Sequence, residues 1–260
     1  TEFTVPYGQE DLMAEKIQKK CNRSLNKDEF GNLYTVIGDS KILFTAHMDT
    51  YSKEVEKINH VVDGNFLKTD GETILGGDNR VGCAILINMI NSGISGNYYF
   101  FRGEEVGRLG SEYHNSKIND GKYLLAITFD RKEIGSVCNY QRGVKLANDN
   151  LVDFLISELN KTGYTFFKDN FGLSCDTYSF NNKVNNCLNI STGVYEEHHK
   201  TERVDIKFYE SIFDISTKIN WSKIEELSNE KVRDTIDLSK FNILNNKISE
   251  VLDYFIKNGY

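Results

Sequence analysis

Four strongly apolar runs, each followed closely by polar side chains, most constrain the fold of this chain. The runs are KILFTA (41–46), NYYFF (97–101), YLLAITF (123–129) and CLNIS (187–191), and the stretches between them include segments with apolar residues at helical spacing. Short apolar runs that alternate with amphipathic stretches are typical of a sheet with crossover helices and not of an all-β sandwich. The sequence therefore predicts the α/β class, with three layers, α/β/α, around a central mixed, mostly parallel sheet.

The element boundaries follow from these runs and from the turn residues beside them. We expect core strands at Asn32–Ile37, Lys41–Ala46, Asn97–Phe101, Tyr123–Phe129 and Cys187–Ile190, and helices near Gln9–Cys21, Arg80–Asn91, Asn148–Asn160 and Val204–Ile219. The segment 57–74 has turn signals at Asp63-Gly64 and Asp70-Gly71, which predict short strands in an excursion at the edge.

The chain ends in a segment of different character. From about Trp221 to Tyr260 it is rich in Lys, Glu and Asn, with Leu244, Ile248 and Val251 among apolar residues at helical spacing. Such spacing predicts an amphipathic helix. We therefore expect one main domain, residues 1–219, and a C-terminal helical extension, residues 220–260, that packs on it or on a partner.

Charge and cysteine content exclude several classes of function. The 31 Lys and Arg residues against 38 Asp and Glu residues give a net charge of -7, so the attraction needed to hold nucleic acid is missing. No run approaches the roughly 18 apolar residues of a membrane span, and the first residues lack a signal-peptide pattern. The five cysteines are scattered and form no C-x-x-C pair, which suits a reducing compartment. We expect a cytoplasmic protein that binds neither nucleic acid nor a membrane.

Polar residues with catalytic or metal-binding chemistry follow the four apolar runs. They are His47 and Asp49 after the first run, Glu104 and Glu105 after the second, Asp130 after the third, and His198 and His199 after the fourth, with Asp78 in a Gly-Gly-Asp-Asn-Arg turn before a predicted helix. Open α/β sheets bind ligands at the carboxyl ends of their strands. If the strands are parallel, these side chains converge on one crevice.

The donor set of this crevice points to metal ions. Oxygen and nitrogen donors without thiolates suit zinc, cobalt or manganese, and their number matches two ions better than one. Two dications carry four positive charges, which the carboxylates of Asp78, Glu105 and Asp130 and one bridging hydroxide would balance. Such a pair of ions activates water for attack on an unactivated amide. Glu104 and Glu105 can serve as base and ligand only if a turn carries them, because strand neighbours point to opposite faces.

The ordered motifs FTAHMDT, TILGGDNRVG, RGEEVGRLGS, TFD, LSCDTYSF and STGVYEEHHKTE resemble those of the co-catalytic di-zinc metallopeptidase superfamily, which includes leucyl-, glutamyl- and tripeptide-type aminopeptidases. The resemblance covers roughly residues 9–215 and implies a zinc-exopeptidase fold. Members with a lid domain insert on the order of a hundred residues after the position of Asp130. Only about 45 residues separate Asp130 from Asp176, so such a lid is absent.

The resemblance also implies a role for each candidate residue. His47 and Asp130 would bind one of two divalent ions, with zinc favoured over cobalt or manganese, and Glu105 and His198 would bind the other. Asp78 would bridge them, Glu104 would be the general base, and Asp49 would orient His47. His199 is the alternative ligand to His198. A short peptide is the implied substrate, and related enzymes include both monomers and large assemblies, so a homo-oligomer is one expectation.

Each candidate also has a structural interpretation. Asp78 could cap the following helix, Asp130 could form a surface ion pair with Arg131, and Arg80 could hold a site carboxylate or only cover its helix. Asp176 could face the substrate or cap a helix. Where some aminopeptidases of the superfamily have Tyr just before the last His, this chain has Glu197, and Glu196 and Glu197 could receive a substrate ammonium group.

The preferred function from these observations is a metal-dependent exopeptidase, most specifically an aminopeptidase that cleaves short peptides through a metal-bridging hydroxide. One alternative is an N-acyl amino acid deacylase with the same two ions. The other is a non-catalytic binding module that keeps a metal-bound crevice.

Overall fold

The computed structural model describes residues 2–232, and a mixed sheet of eight strands forms its centre. The strands in chain order are β1 (Asn26–Lys27), β2 (Leu33–Ile37), β3 (Ile42–His47), β4 (His60–Asp63), β5 (Phe66–Thr69), β6 (Gly96–Phe101), β7 (Leu125–Arg131), β8 (Ser136–Cys138), β9 (Tyr140–Gln141), β10 (Val144–Lys145), β11 (Phe167–Asp169), β12 (Asn186–Ser191), β13 (Val194–Tyr195) and β14 (Arg203–Asp205). The helices are α1 (Asp11–Lys20), α2 (Gly77–Asn91), α3 (Leu109–Lys117), α4 (Asp149–Leu159), α5 (Ile206–Ile215) and α6 (Trp221–Leu227), with short 3-10 helices at Asn160–Thr162 and Asp176–Phe180.

The order of strands in the main sheet is β1-β2-β6-β3-β7-β12-β8-β11. The four central strands, β6, β3, β7 and β12, are parallel to one another, whereas β2 and β8 join them antiparallel. The carboxyl ends of the four central strands therefore lie at one edge of the sheet. Parallel strands thus bring the polar side chains that follow these strands to the same edge, as expected from the sequence.

Alternation along the central strands builds a hydrophobic core on each face of the sheet. In β3, Phe44 and Ala46 belong to the larger core, which includes buried residues of α1, α2, α4, α5 and α6, whereas Leu43 belongs to the smaller one. Successive strand residues point to opposite faces, so a strand buried on both faces is apolar throughout. The predicted α/β fold of three layers is confirmed.

The structure contains elements that the sequence patterns did not predict. Strands β8 and β11 have three residues each and extend the sheet beyond β12. Helix α3 buries Gly110, Ser111, His114 and Asn115, none of which contributes to an apolar periodicity. Strands β8 and β11 are too short to give a recognisable pattern, and α3 buries polar side chains, so neither produces a clear apolar periodicity.

The segment 57–74 forms strands β4 and β5, as expected, but they belong to a separate sheet of four strands with the order β13-β14-β5-β4. Strand β14 also replaces the first residues of the predicted helix 204–219, and α5 begins only at Ile206. The small sheet matters for the site because the loop between β13 and β14 carries His198 and Glu202.

The start of the predicted C-terminal extension packs against the main core. Trp221 and Ile224 of α6 are buried, and the Trp221 ring meets the Phe44 ring edge-on with centroids 4.8 Å apart. The indole Nε1 donates a hydrogen bond to the Ser216 carbonyl at 2.8 Å. The rest of the predicted extension, from residue 233 on, lies outside the described residues. Among the residues described, no helix is long and apolar enough to cross a membrane.

We predict that Trp221→Ala lowers the free energy of unfolding by about 3–5 kcal/mol, because it removes a large buried ring and leaves a cavity against Phe44. Urea denaturation of the full chain measures this. Ser222→Ala, at an exposed position of the same helix, is the control and should change stability by no more than about 0.5 kcal/mol. Equal stabilities of the two variants would contradict the packing of α6 on the core.

His114 lies buried in the smaller core. Its ring centroid is 4.0 Å from that of Tyr99, and its Nε2 forms a hydrogen bond of 3.1 Å with the Tyr123 hydroxyl. Burial lowers the pKa of His114 to about 3, and Lys122 adds to the effect. The unfolded chain therefore binds a proton at His114 that the folded chain does not, from pH 6.5 downwards.

We predict that this histidine destabilises the fold as the pH falls. Between pH 6.5 and pH 5 the wild-type protein should lose about 2 kcal/mol more stability than His114→Gln, which cannot take up the proton. Urea denaturation at several pH values measures the difference. The exposed His199→Gln should follow the wild type, and parallel curves for wild type and His114→Gln would contradict the prediction.

Candidate functional site

Strands β3 and β7 place a histidine and an aspartate side by side. His47 is the last residue of β3 and Asp130 is the next-to-last residue of β7. The His47 Nε2 atom lies 3.5 Å from Asp130 Oδ1 and 3.0 Å from Asp78 Oδ1. The His47 side chain is only 1% exposed, and its Nδ1 contacts the backbone carbonyl of Asp49 at 3.0 Å. The contact with Asp49 thus fixes the orientation of the ring, and Nε2 faces the carboxylates of Asp78 and Asp130.

Asp78 lies in the first turn of α2, and its backbone amide is bound by the buried carboxylate of Glu202. Glu202 accepts hydrogen bonds from the backbone N–H groups of Gly76, at 2.6 Å, and Asp78, at 3.0 Å. The Asp78 side chain does not cap its helix, and the peptide between Asp78 and Asn79 is cis. Its two oxygens instead face different histidines, with Oδ1 near His47 and Oδ2 at 3.3 Å from Nε2 of His198.

Glu104 and Glu105 lie in a turn that follows β6, as their chemistry requires. Gly103 enters this turn with a φ of 68°, which a side chain would disfavour. The carboxylate of Asp49 accepts a hydrogen bond from each of the two glutamate amides, both at 3.1 Å. Asp49 also lies 3.4 Å from Nδ1 of His47, so one fully buried carboxylate fixes both the turn and the histidine.

His198 is brought into the cluster by the loop between β13 and β14. Its Nε2 lies 3.0 Å from Glu105 Oε2, and its ring stacks on Tyr51 with centroids 4.5 Å apart. The neighbouring His199 is exposed and its Nδ1 contacts the carbonyl of Glu197. The structure therefore places His198, and not His199, beside the other candidate ligands.

The pKa values of the cluster show how much charge is crowded into it. Burial raises the pKa of Glu105 and, together with the nearby Asp78, raises that of Asp130 well above its usual range. Burial opposes ionisation of Asp78 too, but hydrogen bonds with His198 and His47 lower its pKa. Asp78 and Glu105 raise the pKa of His198 to about 11. Such an excess of carboxylates suits a site that holds cations.

The residues present fit divalent metal ions. One ligand atom from each of His47, Asp78 and Glu105 lies within 4.8 Å of the others. Glu105 Oε1 is buried without a hydrogen-bond partner in the described part of the chain. Asp130 lies beside His47, and His198 contacts both Asp78 and Glu105. Imidazole nitrogens and carboxylate oxygens are the donors that zinc, cobalt and manganese accept.

A cavity of about 130 Å³ opens onto the cluster. Asp78, Glu104, Asp130 and His198 line it on one side, and its other walls include Gln141, Leu173, Cys175, Asn189 and Thr192. Glu104 thus faces the space that a substrate would fill. Burial raises the pKa of Glu104 well above its usual value, and the nearby Asp176 and Asp130 add to the effect although His47 opposes it.

Other residues singled out from the sequence lie outside this arrangement. Arg80 donates hydrogen bonds to the carbonyls of Leu75 and Phe3, and not to a site carboxylate. Arg131 pairs with Asp169 at 2.7 Å instead of with Asp130. Asp176 is buried, does not line the cavity, and has a pKa raised to about 6 by burial. Two buried thiols lie nearby; Cys175 borders the cavity, whereas Cys83 does not.

The structure adds two residues that the sequence patterns did not single out. Tyr51 stacks on His198, and Lys132 lines the cavity two residues after Asp130. Their only signal in the sequence is that they follow the strand ends closely. Their contacts come from loops distant in sequence, and no spacing rule predicts those.

We predict that Asp49→Asn lowers the free energy of unfolding by about 1–3 kcal/mol, because an amide nitrogen would face one of the two glutamate N–H groups and leave it without an acceptor. The displaced turn should also weaken zinc binding. Urea denaturation and a zinc titration measure the two effects. The exposed Asp120→Asn is the control, and wild-type values of both quantities for Asp49→Asn would contradict the assigned role.

Comparison with known proteins identifies the fold of the chain but does not assign it to a family. No family model matches the chain. The protein YqjE of Bacillus subtilis (strain 168) is 30% identical over 118 residues, which are 41% of this chain and 31% of that protein. The chain therefore spans about a third of the length of this relative.

Several solved structures are similar along most of the chain. They include aminopeptidase PepT from Bacillus cereus ATCC 10987 (TM-score 0.69, 15% identity, 87% of this chain and 95% of that one), a tripeptidase from Staphylococcus aureus (0.67, 14%, 88% and 96%) and the TET1 peptidase of Pyrococcus horikoshii (0.61, 16%, 82% and 94%). At such identities the likeness concerns the fold. The resemblance indicated by the motifs is confirmed at that level: this chain shares the α/β fold of these three peptidases.

Proposed function

We propose that the protein is a metal-dependent exopeptidase, and most specifically an aminopeptidase that hydrolyses short peptides. The observation that carries this proposal is that the carboxylate of Glu104 and the cluster of His47, Asp78 and Glu105 line or adjoin one small cavity. The fold shared with PepT and the tripeptidase supports it. A base and a cation site on one cavity are what hydrolysis of an amide needs.

The contacts divide the proposed ligands into two groups. We assign His47 and Asp130 to one ion and Glu105 and His198 to the other, with Asp78 shared, because its Oδ1 faces His47 and its Oδ2 faces His198. Two zinc ions are the proposed pair, with cobalt or manganese as alternatives. When bound, such ions lower the pKa of water and polarise a substrate carbonyl.

Glu104 is the proposed general base and acid. Its raised pKa suits a group that accepts a proton from water and then donates it to the leaving amine near neutral pH. Asp49 acts through Glu104 and Glu105, since it binds both of their amides. Glu202 acts in the same way on Asp78. Glu104, Glu105 and Asp78 thus each have a backbone amide that is fixed by a buried carboxylate.

The other expectations also remain proposals. One TET1 peptidase of similar structure forms a dodecamer, and the Pyrococcus horikoshii TET1 peptidase can assemble into a tetrahedron or a large octahedral shell, which supports a homo-oligomer here. The main domain of residues 1–219, the extension of residues 220–260 and a cytoplasmic location stay predictions from the sequence.

We predict that the purified protein binds about two equivalents of zinc and cleaves free dipeptides, that a chelator abolishes the cleavage, and that Glu104→Gln lowers kcat by roughly 10²–10⁴-fold with unchanged metal content. Elemental analysis and a panel of free and N-acetylated dipeptides measure these quantities. The exposed Glu72→Gln is the matched control.

Three results would contradict the proposal. Full activity of Glu104→Gln would exclude its role as the base. Cleavage of N-acetylated substrates alone would replace the aminopeptidase with a deacylase, and two bound metal ions without any turnover would favour a binding module.

A further inference from the structure

An ion pair lines the cavity next to the proposed ligands. Lys132 Nζ lies 2.9 Å from Glu197 Oε1, and both residues border the same cavity as Glu104. Lys132 is two residues beyond Asp130, and Glu197 directly precedes His198. A molecule that reaches the cluster through this cavity therefore passes within contact range of both charges.

The backbone holds both residues in place. The carbonyls of Arg131 and Glu133 accept hydrogen bonds from the amides of Thr192 and Gly193, both at 2.8 Å, so the segment that carries Lys132 is paired with the chain beyond β12. Glu197 lies in a turn that is closed by a hydrogen bond of 3.3 Å from the His199 amide to the Glu196 carbonyl. The two side chains can separate, but their attachment points are fixed.

Neighbouring charges are already committed to other partners. Arg131 forms its ion pair with Asp169, and both side chains are largely buried. Glu196 pairs with Arg203 at 2.8 Å and does not line the cavity. Lys132 and Glu197 are different, since their side chains are 45% and 24% exposed. Partly exposed ion pairs contribute little to stability, so a competing ion can displace one partner.

The partner of Glu197 has the chemistry of a peptide amino terminus. A lysine Nζ and a terminal ammonium are both compact cations with three hydrogen-bond donors. The Lys132 ammonium, held against Glu197 at the cavity wall, therefore occupies a position that an incoming ammonium group could take. A hydrogen bond between an ammonium group and a carboxylate is stronger than one between neutral groups, so Glu197 could bind a substrate ammonium group well.

We propose that Glu197 receives the terminal ammonium group of the substrate and that Lys132 occupies this place until the substrate displaces it. The proposal rests on the proposed aminopeptidase function and adds a specificity-determining residue to it. Substrates with a free amino terminus exchange one ammonium for another at Glu197. A substrate with an acylated terminus has no ammonium group to offer Glu197. If it displaces Lys132, the lost ion pair is not replaced, so it should bind more weakly.

The two side chains should therefore have opposite effects on binding. Glu197→Gln removes the negative charge that attracts the ammonium group and replaces one acceptor oxygen by a donor, so it should weaken binding of a free amine by roughly tenfold or more. Lys132→Met removes the competitor and should strengthen it by about two- to fivefold, the range expected for loss of an exposed ion pair. In the Glu197→Gln background, Lys132→Met should have no such effect, because the competition requires the carboxylate.

The experiment is calorimetric titration of the zinc-loaded full chain with alaninamide and with N-acetylalaninamide. All proteins carry Glu104→Gln so that the probes are not hydrolysed. Glu196→Gln is the matched control, since that neighbouring carboxylate is held by Arg203 outside the cavity, and its affinities should equal those of the parent. Thermal melting of each variant confirms that it is folded.

Several outcomes would overturn the proposal. Equal affinities of the parent for the two probes, or an unchanged ratio in Glu197→Gln, would remove Glu197 as the ammonium acceptor. Weaker binding of alaninamide to Lys132→Met would show that Lys132 assists binding and does not compete. Failure of the proposed function has a different signature, because the wild-type protein would then cleave no peptide in the presence of zinc, cobalt or manganese.

Discussion

Mutual repulsion among carboxylates is the constraint on which this structure depends. Asp78, Glu105 and Asp130 crowd around two imidazoles, with Glu104 close by, and such a cluster spreads apart unless the chain holds it. Two further carboxylates, those of Asp49 and Glu202, hold the chain in place around the cluster, and neither lines the cavity. Each is buried and each directs its oxygens at two backbone N–H groups of a ligand-bearing turn or loop.

These supporting carboxylates explain why the loops at the end of the sheet are not interchangeable. A backbone amide is fixed in direction, so a carboxylate that accepts from two of them sets the orientation of the whole turn. Glu104 and Glu105 can then serve one site together as base and ligand. A regular strand would prevent this, because its neighbouring side chains point to opposite faces. The same device, repeated at Asp78, positions a ligand within the irregular start of α2.

Much of the fold and of the site was predictable from the sequence because both follow from short-range patterns. The apolar runs that became β3, β6, β7 and β12 are long enough to identify, and their order brings His47, Glu105 and Asp130 together once the strands are parallel. The sequence could not decide between His198 and His199. That choice depends on the backbone between β13 and β14, where His198 has a positive φ.

The small sheet was beyond prediction for a similar reason. Strands β13 and β14 have two and three residues, and β14 pairs with β5, which is more than a hundred residues earlier in the chain. The partners of Arg80 and Arg131 were also undetermined, because an arginine has several donors and the sequence does not show which acceptors lie within its reach.

The two halves of the cluster are built on different supports. His47 and Asp130 stand on adjacent strands of the main sheet, with side chains 1% and 10% exposed. Glu105 and His198 stand on a turn and on a hairpin of the small sheet, and the His198 side chain is 37% exposed. Ions held by these two halves would therefore exchange with solvent at unequal rates. We expect faster exchange on the hairpin side, where water reaches His198, than on the buried side of the main sheet.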